Sequence, residues 1–264
     1  MLNIIALAQL LILVGQSNAY GFQVPAAEAP AYYGVTEKVQ VFSRQTRRFE
    51  TMIPGVNTNN GSTNWGPEVE YAHRFHAAHP KETLYIFKNV EGDSGLAMDA
   101  ANADWSPNSN GDIFDRATSR LVQARADIRD RGEALNGIVI AMVQGETDGK
   151  TAPASEAYAA NIHQFVHQAR KAWACQNTPV LVGRINGPDV PFRNAVRLAQ
   201  SAFAAQDSHA VLVDMDAFPL QPDRLHLNAA GQIRLGAALY AAAEAAVLKP
   251  GVSTACEMNG AALR

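Results

Sequence analysis

The stretch Leu11–Tyr20, LILVGQSNAY, decides the fold. The apolar run Leu11–Val14 leads directly into the turn-forming residues Gly15–Asn18. A short apolar run bounded by a turn signal predicts a buried strand of a parallel sheet. Ligands of open α/β sheets bind at the carboxyl ends of the strands, so this interpretation puts Ser17 at a binding edge. The alternative is that Ser17 only caps a helix after the strand.

A polar segment near the C-terminus contains the partners that a nucleophilic serine needs. The chain reads PDRLHLN over Pro222–Asn228. A serine nucleophile requires a base, and the base requires a carboxylate that holds its tautomer. Asp223 and His226 are three residues apart, so they can touch within one turn. We expect Asn228 to cap the following helix, which places His226 on the loop before it.

Four blocks of this sequence resemble the SGNH hydrolase superfamily, and more closely its branch of sialate O-acetylesterases and acetyl-xylan esterases. The blocks follow the family's order and span most of the chain. They are GQSNAYG at 15–21, NWGPE at 64–68, VQGETD at 143–148 and DRLH at 223–226. A weaker fifth match covers 92–96 and 104–107. Ala19 stands where the family has methionine, and 141–143 lacks the family's aromatic residue.

The resemblance implies a serine esterase with Ser17 as nucleophile, His226 as base and Asp223 as the partner of the base. It also implies an oxyanion hole, formed by the N–H groups of Ser17 and Gly66 and by the side-chain amide of Gln144. For Gly66 the alternative is a simple helix start. No cofactor and no metal are expected, since such acyl transfer needs neither and the sequence has no metal-binding Cys/His cluster.

The substrate expected from the resemblance is an O-acetylated saccharide. Trp65 and Trp105 lie on two long loops and could stack on a sugar ring, or could fill the core between the loops. Glu146 and Asp148 are expected to support the site rather than to react. The candidate substrate-binding residues are Gln16, Asn18, Trp65, Trp105 and Glu146. The sequence leaves open whether the sugar is a sialic acid, xylan or a microbial polysaccharide.

The composition indicates the number of domains and the kinds of partner to expect. The chain has 264 residues, of which 47% are hydrophobic, and this predicts one domain over 1–264 with a C-terminal tail at 250–264. A net charge of −3 gives no reason to expect a nucleic-acid partner. Oligomeric state stays open. Cys175 and Cys256 are the only cysteines, and a disulfide that pins the tail is one possibility.

The first fourteen residues, MLNIIALAQLLILV, are apolar but lack the basic region and the cleavage site of a secretory signal. They are also shorter than the roughly 20 residues of a membrane-spanning helix. We interpret them as a short lead-in and the first strand, with no membrane insertion. The location of the protein is left open between the cytoplasm, export by a non-Sec route and a place in a virion.

Strand and helix patterns alternate along the chain, and this alternation predicts a parallel sheet with helices on both faces. Together with the resemblance, it predicts an α/β protein with a three-layer α/β/α sandwich and flavodoxin-like strand order. The expected strands lie at 11–14, 38–43, 83–90, 137–143, 179–185 and 210–213. The expected helices lie at 66–79, 113–132, 154–174, 190–206 and 229–246.

Two other functions remain open from the sequence. One is a serine hydrolase of the same fold that acts on a different acyl ester, such as a lipid or a thioester. The other is a catalytically silent glycan-binding or structural module. The first would show rising activity with acyl-chain length, and the second would bind glycan without turnover.

Overall fold

The computed structural model describes residues 7–59, 62–98, 103–110 and 112–247, and in these residues seven strands form one sheet. The strands are β1 (Leu7–Gly15), β2 (Val39–Phe42), β3 (Phe49–Thr51), β4 (Thr83–Val90), β5 (Ala134–Val143), β6 (Val180–Arg184) and β7 (Ala210–Asp214). The order across the sheet is β3-β2-β4-β1-β5-β6-β7. All neighbouring strands are parallel except β2 and β3.

The five strands β4-β1-β5-β6-β7 have the flavodoxin-like order, in which the first strand lies between the second and the third. The predicted α/β fold class is therefore confirmed. The hairpin of β2 and β3 extends the sheet beyond β4 and ends it with an antiparallel edge. Strand β3 was not predicted from the sequence, because its three residues are too few to establish an alternating pattern.

Helices cover both faces of the sheet. Successive side chains of a strand point to opposite sides, so a strand of consecutive apolar residues makes both faces apolar. The helices are α1 (Ser17–Tyr20), α2 (Glu68–Ala78), α3 (Ile113–Asp130), α4 (Ala152–Trp173), α5 (Arg193–Gln206) and α6 (Ala229–Val247). Leu10 and Ile12 of β1 pack with α3, α4 and α5, whereas Leu11 and Leu13 pack with α2 and α6.

The three central strands end at the same level, and this positions the site. Gly15 is in register with Val90 of β4 and Val143 of β5. Gly15 has a φ of 138°, and a Cβ there would lie 2.0 Å from the carbonyl oxygen of Val143. Only glycine fits a strand end this close to its neighbour. The chain therefore turns sharply into α1, with Ser17 at its first position.

Two expectations about the chain ends meet the structure only in part. The apolar N-terminal segment contains strand β1 from Leu7, as predicted. Cys175 is disulfide-bonded, but Cys256 and the tail at 250–264 lie outside the described residues. The pairing of the two cysteines and the single-domain organisation stay predictions. Among the described residues, no helix has the length and hydrophobicity needed to cross a membrane.

Candidate active site

Ser17 stands where β1 gives way to α1. Two backbone bonds close this short helix: the N–H of Tyr20 donates to Gln16 at 2.9 Å, and that of Gly21 donates to Ser17 at 3.1 Å. The first N–H groups of a helix have no acceptor within the helix, so the Ser17 N–H is free of helical bonds. The residue is only 8% exposed, which limits access to its hydroxyl to one side.

A chain of short hydrogen bonds connects Ser17 with His226 and Asp223. The Oγ of Ser17 lies 2.9 Å from Nε2 of His226. The other ring nitrogen, Nδ1, lies 2.6 Å from Oδ2 of Asp223. With the proton on Nδ1, the imidazole donates to the carboxylate and accepts from the serine hydroxyl. The three residues that the sequence singled out thus meet in one hydrogen-bonded line.

The loop that carries His226 is built around the carboxylate of Asp223. Its Oδ1 accepts the N–H groups of Leu225 and His226, both at 3.0 Å. Arg224 between them has a left-handed φ of 57°, which closes the turn. Partial burial acts to raise the pKa of Asp223, but the hydrogen bonds from His226 and Leu225 outweigh it and hold this pKa below its usual value. The carboxyl group is therefore ionised where it faces the imidazole.

Ser17, His226 and Asp223 all line one cavity of about 440 Å³. The ring of Phe22 packs against that of His226, with centroids 4.5 Å apart. The remaining lining residues are Gln16, Gly92, Asp93, Glu146, Thr147, Lys150, Asp189, Val190, Pro191 and Leu225. Within the described residues, no group of three or more His, Cys, Asp or Glu side chains is placed to hold a metal ion.

Gly66 does not face this cavity, and the oxyanion role expected of it is corrected. Its N–H donates to Oε1 of Glu68 at 2.9 Å. The same carboxylate forms a buried ion pair with Nζ of Lys88 at 2.8 Å, and Lys88 donates to the carbonyl oxygen of Tyr20 at 3.0 Å. The GPE segment therefore supports the end of α1 from the interior instead of contacting a substrate.

The side chain of Gln144 is likewise directed away from the cavity. Its Nε2 donates to Oδ2 of Asp148 at 2.5 Å and to the carbonyl oxygen of Ser94 at 3.1 Å. The expected role of Gln144 in an oxyanion hole is therefore corrected as well. Asp148 is fully buried and also accepts the N–H groups of Leu96 and Ala97, so it holds the loop after β4. This agrees with a supporting role for Asp148.

Three of the candidate substrate-binding residues lie in the interior. Trp65 is fully buried and donates its Nε1–H to Pro25, and Trp105 is 1% exposed and donates to Ser94. Both tryptophans fill the core, the second of the two interpretations. Asn18 is also 1% exposed, and its amide bonds to Glu146, Leu225 and Leu227. Gln16 and Glu146 do line the cavity.

Much of the cavity wall consists of residues that were not predicted from the sequence. Gly92 and Asp93 follow β4, and the segment Asp189–Pro191 follows β6. Parallel strands bring their carboxyl ends to one edge of the sheet, so the residues just after each predicted strand were the signal that could have found them. Phe22 and Lys150 gave no such signal, because their place depends on how the loops fold.

A sheet of this order with a hydrogen-bonded serine, histidine and aspartate at its carboxyl edge defines the chain as a hydrolase of the α/β/α class. The chain belongs to the family described as carbohydrate esterase, sialic acid-specific acetylesterase, whose model matches residues 7–245. It is thus a carbohydrate O-acetylesterase, with an acetylated carbohydrate as the substrate of its class.

Solved structures share this fold at low sequence identity. A protein of Arabidopsis thaliana is 21% identical, with a TM-score of 0.71 over 90% of this chain and 97% of its own. NanS is 14% identical, with a TM-score of 0.64 over 92% and 97% of the two chains. A carbohydrate acetylesterase from Xanthomonas citri is 18% identical, with a TM-score of 0.61 over 90% of this chain and 56% of its own. No curated protein matches the sequence.

Proposed function

We propose that this esterase removes acetyl groups from a saccharide by acyl transfer through Ser17, with His226 as general base and Asp223 as the group that orients it. The observation that carries the proposal is the line of hydrogen bonds from Asp223 through His226 to Ser17, at 2.6 and 2.9 Å. Residues 209 positions apart in sequence meet here with the geometry that a serine nucleophile needs. A chance surface contact would not place the pair inside a cavity.

The chemistry proceeds in two steps. Nε2 of His226 takes the hydroxyl proton as Oγ of Ser17 attacks the acetyl carbonyl carbon, and it then gives that proton to the departing sugar oxygen as the ester bond breaks. Water, deprotonated by the same nitrogen, attacks the acetyl-serine and releases acetate. The ionised carboxylate of Asp223 stabilises the imidazolium in both steps.

The oxyanion of the tetrahedral intermediate needs donors at the cavity wall. We assign this role to the N–H of Ser17, which the helix leaves free, and to the N–H of Gly92. Gly92 follows the end of β4 and lines the same cavity as Ser17. Gly92 also has space beside it, since a Cβ built there would meet no atom within 4 Å. These two donors replace the expected contributions of Gly66 and Gln144.

The charges of the cavity favour a neutral acetylated sugar over a carboxylated one such as a sialic acid. Lys150 is the one lysine or arginine among the described lining residues, and it is already paired with Asp93. Arg224 beside the cavity is paired with Asp189 at 2.8 Å. A substrate carboxylate would have to displace one of these partners. The other acidic lining residues are Glu146 and Asp223.

Release of acetate from p-nitrophenyl acetate and from acetylated oligosaccharides tests the nucleophile. Ser17→Ala is expected to lower kcat by about 10⁴-fold or more, because the covalent step is lost. Ser155→Ala is the matched control, since it removes a buried hydroxyl that bonds within α4, away from the cavity. Equal rates in the parent and Ser17→Ala, with glycan binding retained, would instead favour the silent binding module.

The preference for a neutral sugar has its own test. An O-acetylated sialic acid glycoside and its carboxyl methyl ester differ at one group, which is a charged carboxylate in the first and a neutral ester with one added methyl in the second. We expect kcat/KM for the methyl ester to equal or exceed that for the acid. A clear preference for the acid would contradict the proposal and would point to a cation that is released when substrate binds.

A further inference from the structure

Asn18 follows the proposed nucleophile directly, and its side chain bonds to the loop of the proposed base. Its Oδ1 accepts the N–H of Leu227 at 2.8 Å, and its Nδ2 donates to the carbonyl oxygen of Leu225 at 3.1 Å. These are the residues on either side of His226. The Asn18 amide therefore holds both peptide groups that flank the histidine, although more than 200 residues separate the two segments.

Glu146 adds a third bond that favours the same orientation of this amide. Its Oε1 accepts the second hydrogen of the Asn18 Nδ2 at 2.6 Å. An amide turned by 180° would put its oxygen against this carboxyl oxygen and its NH₂ group against the N–H of Leu227, so all three bonds would fail. Both Asn18 and Glu146 are 1% exposed, and water is not available to replace the lost bonds.

The backbone of Asn18 adds a fourth connection. Its carbonyl oxygen accepts the Nε2–H of Gln232 at 3.1 Å, and Gln232 belongs to α6, the helix after the histidine loop. The loop itself is exposed at Asp223, whose side chain is 42% accessible. The buried amide of Asn18 thus connects this loop to the helix of the nucleophile from the interior.

We propose that Asn18, oriented by Glu146, is a positioning residue that fixes the distance between His226 and Ser17. The proposal rests on the proposed function of these two residues. It replaces the expectation that Asn18 contacts substrate. It predicts that a change at Asn18 lowers kcat much more than it alters KM, because the sugar does not touch the amide while the proton transfer depends on the His226 position.

Asn18→Asp and Asn18→Ala test the amide. The aspartate variant keeps the acceptor for Leu227 but loses both donors and puts two carboxyl oxygens in contact. We expect kcat to fall about 10²-fold in each variant, with KM changed less than about threefold. Asn186→Asp is the matched control: it removes a buried amide donor to Met215 and Phe218, away from the cavity lining. The control should keep the kcat of the parent.

Glu146→Gln allows the donor and the acceptor of the bond between positions 18 and 146 to be exchanged. In the double variant with Asn18→Asp, an amide again faces a carboxylate, with the roles reversed. We therefore expect the fold-loss in kcat that Asn18→Asp causes to be at least about tenfold smaller in the Glu146→Gln background than in the parent. A loss of equal size in both backgrounds would overturn the role given to Glu146. This comparison does not depend on what Glu146→Gln does by itself.

Crystal structures of the parent and Asn18→Asp separate this proposal from the proposed function. We expect the Ser17 to His226 distance to exceed about 3.5 Å in the variant, so that the hydrogen bond is lost, while the bond from His226 to Asp223 remains. An unchanged distance, or Asn18 variants with the kcat of Asn186→Asp, would overturn the positioning role. Turnover that is independent of Ser17 would instead overturn the proposed function, and the distance would still judge the role of Asn18.

Discussion

Two motif segments border the cavity, and each contains an aspartate that accepts backbone N–H groups. In the segment 144–148, Asp148 is fully buried and both of its oxygens bond to interior groups. In the segment 223–226, Asp223 is exposed and uses one oxygen for its own turn and the other for His226. The same residue type thus holds a loop in one segment and an imidazole in the other.

The difference teaches which motif residues can act on a substrate. Burial raises the pKa of Asp148, against the hydrogen bonds from Gln144, Leu96 and Ala97. The pKa of Asp223 is lowered, because its hydrogen bonds outweigh its partial burial. A carboxylate that is ionised and beside an imidazole can stabilise charge during the reaction. An interior carboxyl group whose oxygens are all hydrogen-bonded to the protein can only maintain structure.

Asp223→Asn should have the largest effect of the changes that compare the two segments. An amide at this position can donate to Nδ1 of His226, which favours the tautomer whose Nε2 carries the proton and cannot accept from Ser17. We expect kcat to fall about 10³-fold, with little change in the free energy of unfolding, as measured by acetate release and denaturant titration. Turnover within about threefold of the parent would remove Asp223 from the mechanism.

Gly92→Pro tests the loop that Asp148 holds. Proline removes the N–H that we assign to the oxyanion, and one lost donor typically costs about 10²-fold or more in kcat. Gly92→Ala keeps the N–H and meets no atom within 4 Å, so it reports the effect of the side chain alone. The expected result is a much larger loss of kcat for proline than for alanine. Equal losses in the two variants would contradict the assignment.

The sheet and the residues of the proposed triad could be predicted from the sequence because both leave local signals. The apolar run before Gly15 and the short spacing from Asp223 to His226 are visible in neighbouring residues. The direction of the Gln144 side chain is not, since it depends on Asp148 and on a carbonyl group of a distant loop. The N–H of Gly66 is similar: its acceptor Glu68 is held in place by Lys88, which no spacing in the sequence reveals.

Asp148→Ala should act on stability instead of chemistry. It leaves the N–H groups of Leu96 and Ala97 and the amide of Gln144 without their acceptor in the interior. We expect the free energy of unfolding to fall by about 2–4 kcal/mol, since each buried donor left unpaired costs about 1–3 kcal/mol and relaxation recovers a part. Asp223→Ala should lose less than about 1 kcal/mol in the same denaturant titration, because water can replace its bonds. Equal losses would contradict the contrast between the two segments.

The smallest expected effect is a difference in pH dependence between Asp148→Asn and Asp223→Asn. The folded pKa of Asp223 lies below its ordinary value of 3.8, so its stabilisation is present above that value and is lost as pH falls through the folded pKa. The folded pKa of Asp148 lies above 3.8, so its contribution is present below that value and is lost as pH rises through the folded pKa.

Each asparagine variant lacks the titrating carboxyl group of the residue that it replaces. As pH rises, the free energy of unfolding of the parent should therefore increase relative to that of Asp223→Asn. Relative to that of Asp148→Asn, it should decrease. Denaturant titrations between about pH 3 and pH 7 measure both slopes. Slopes of the same sign would contradict the division into one carboxyl group that holds an imidazole and one that holds a loop.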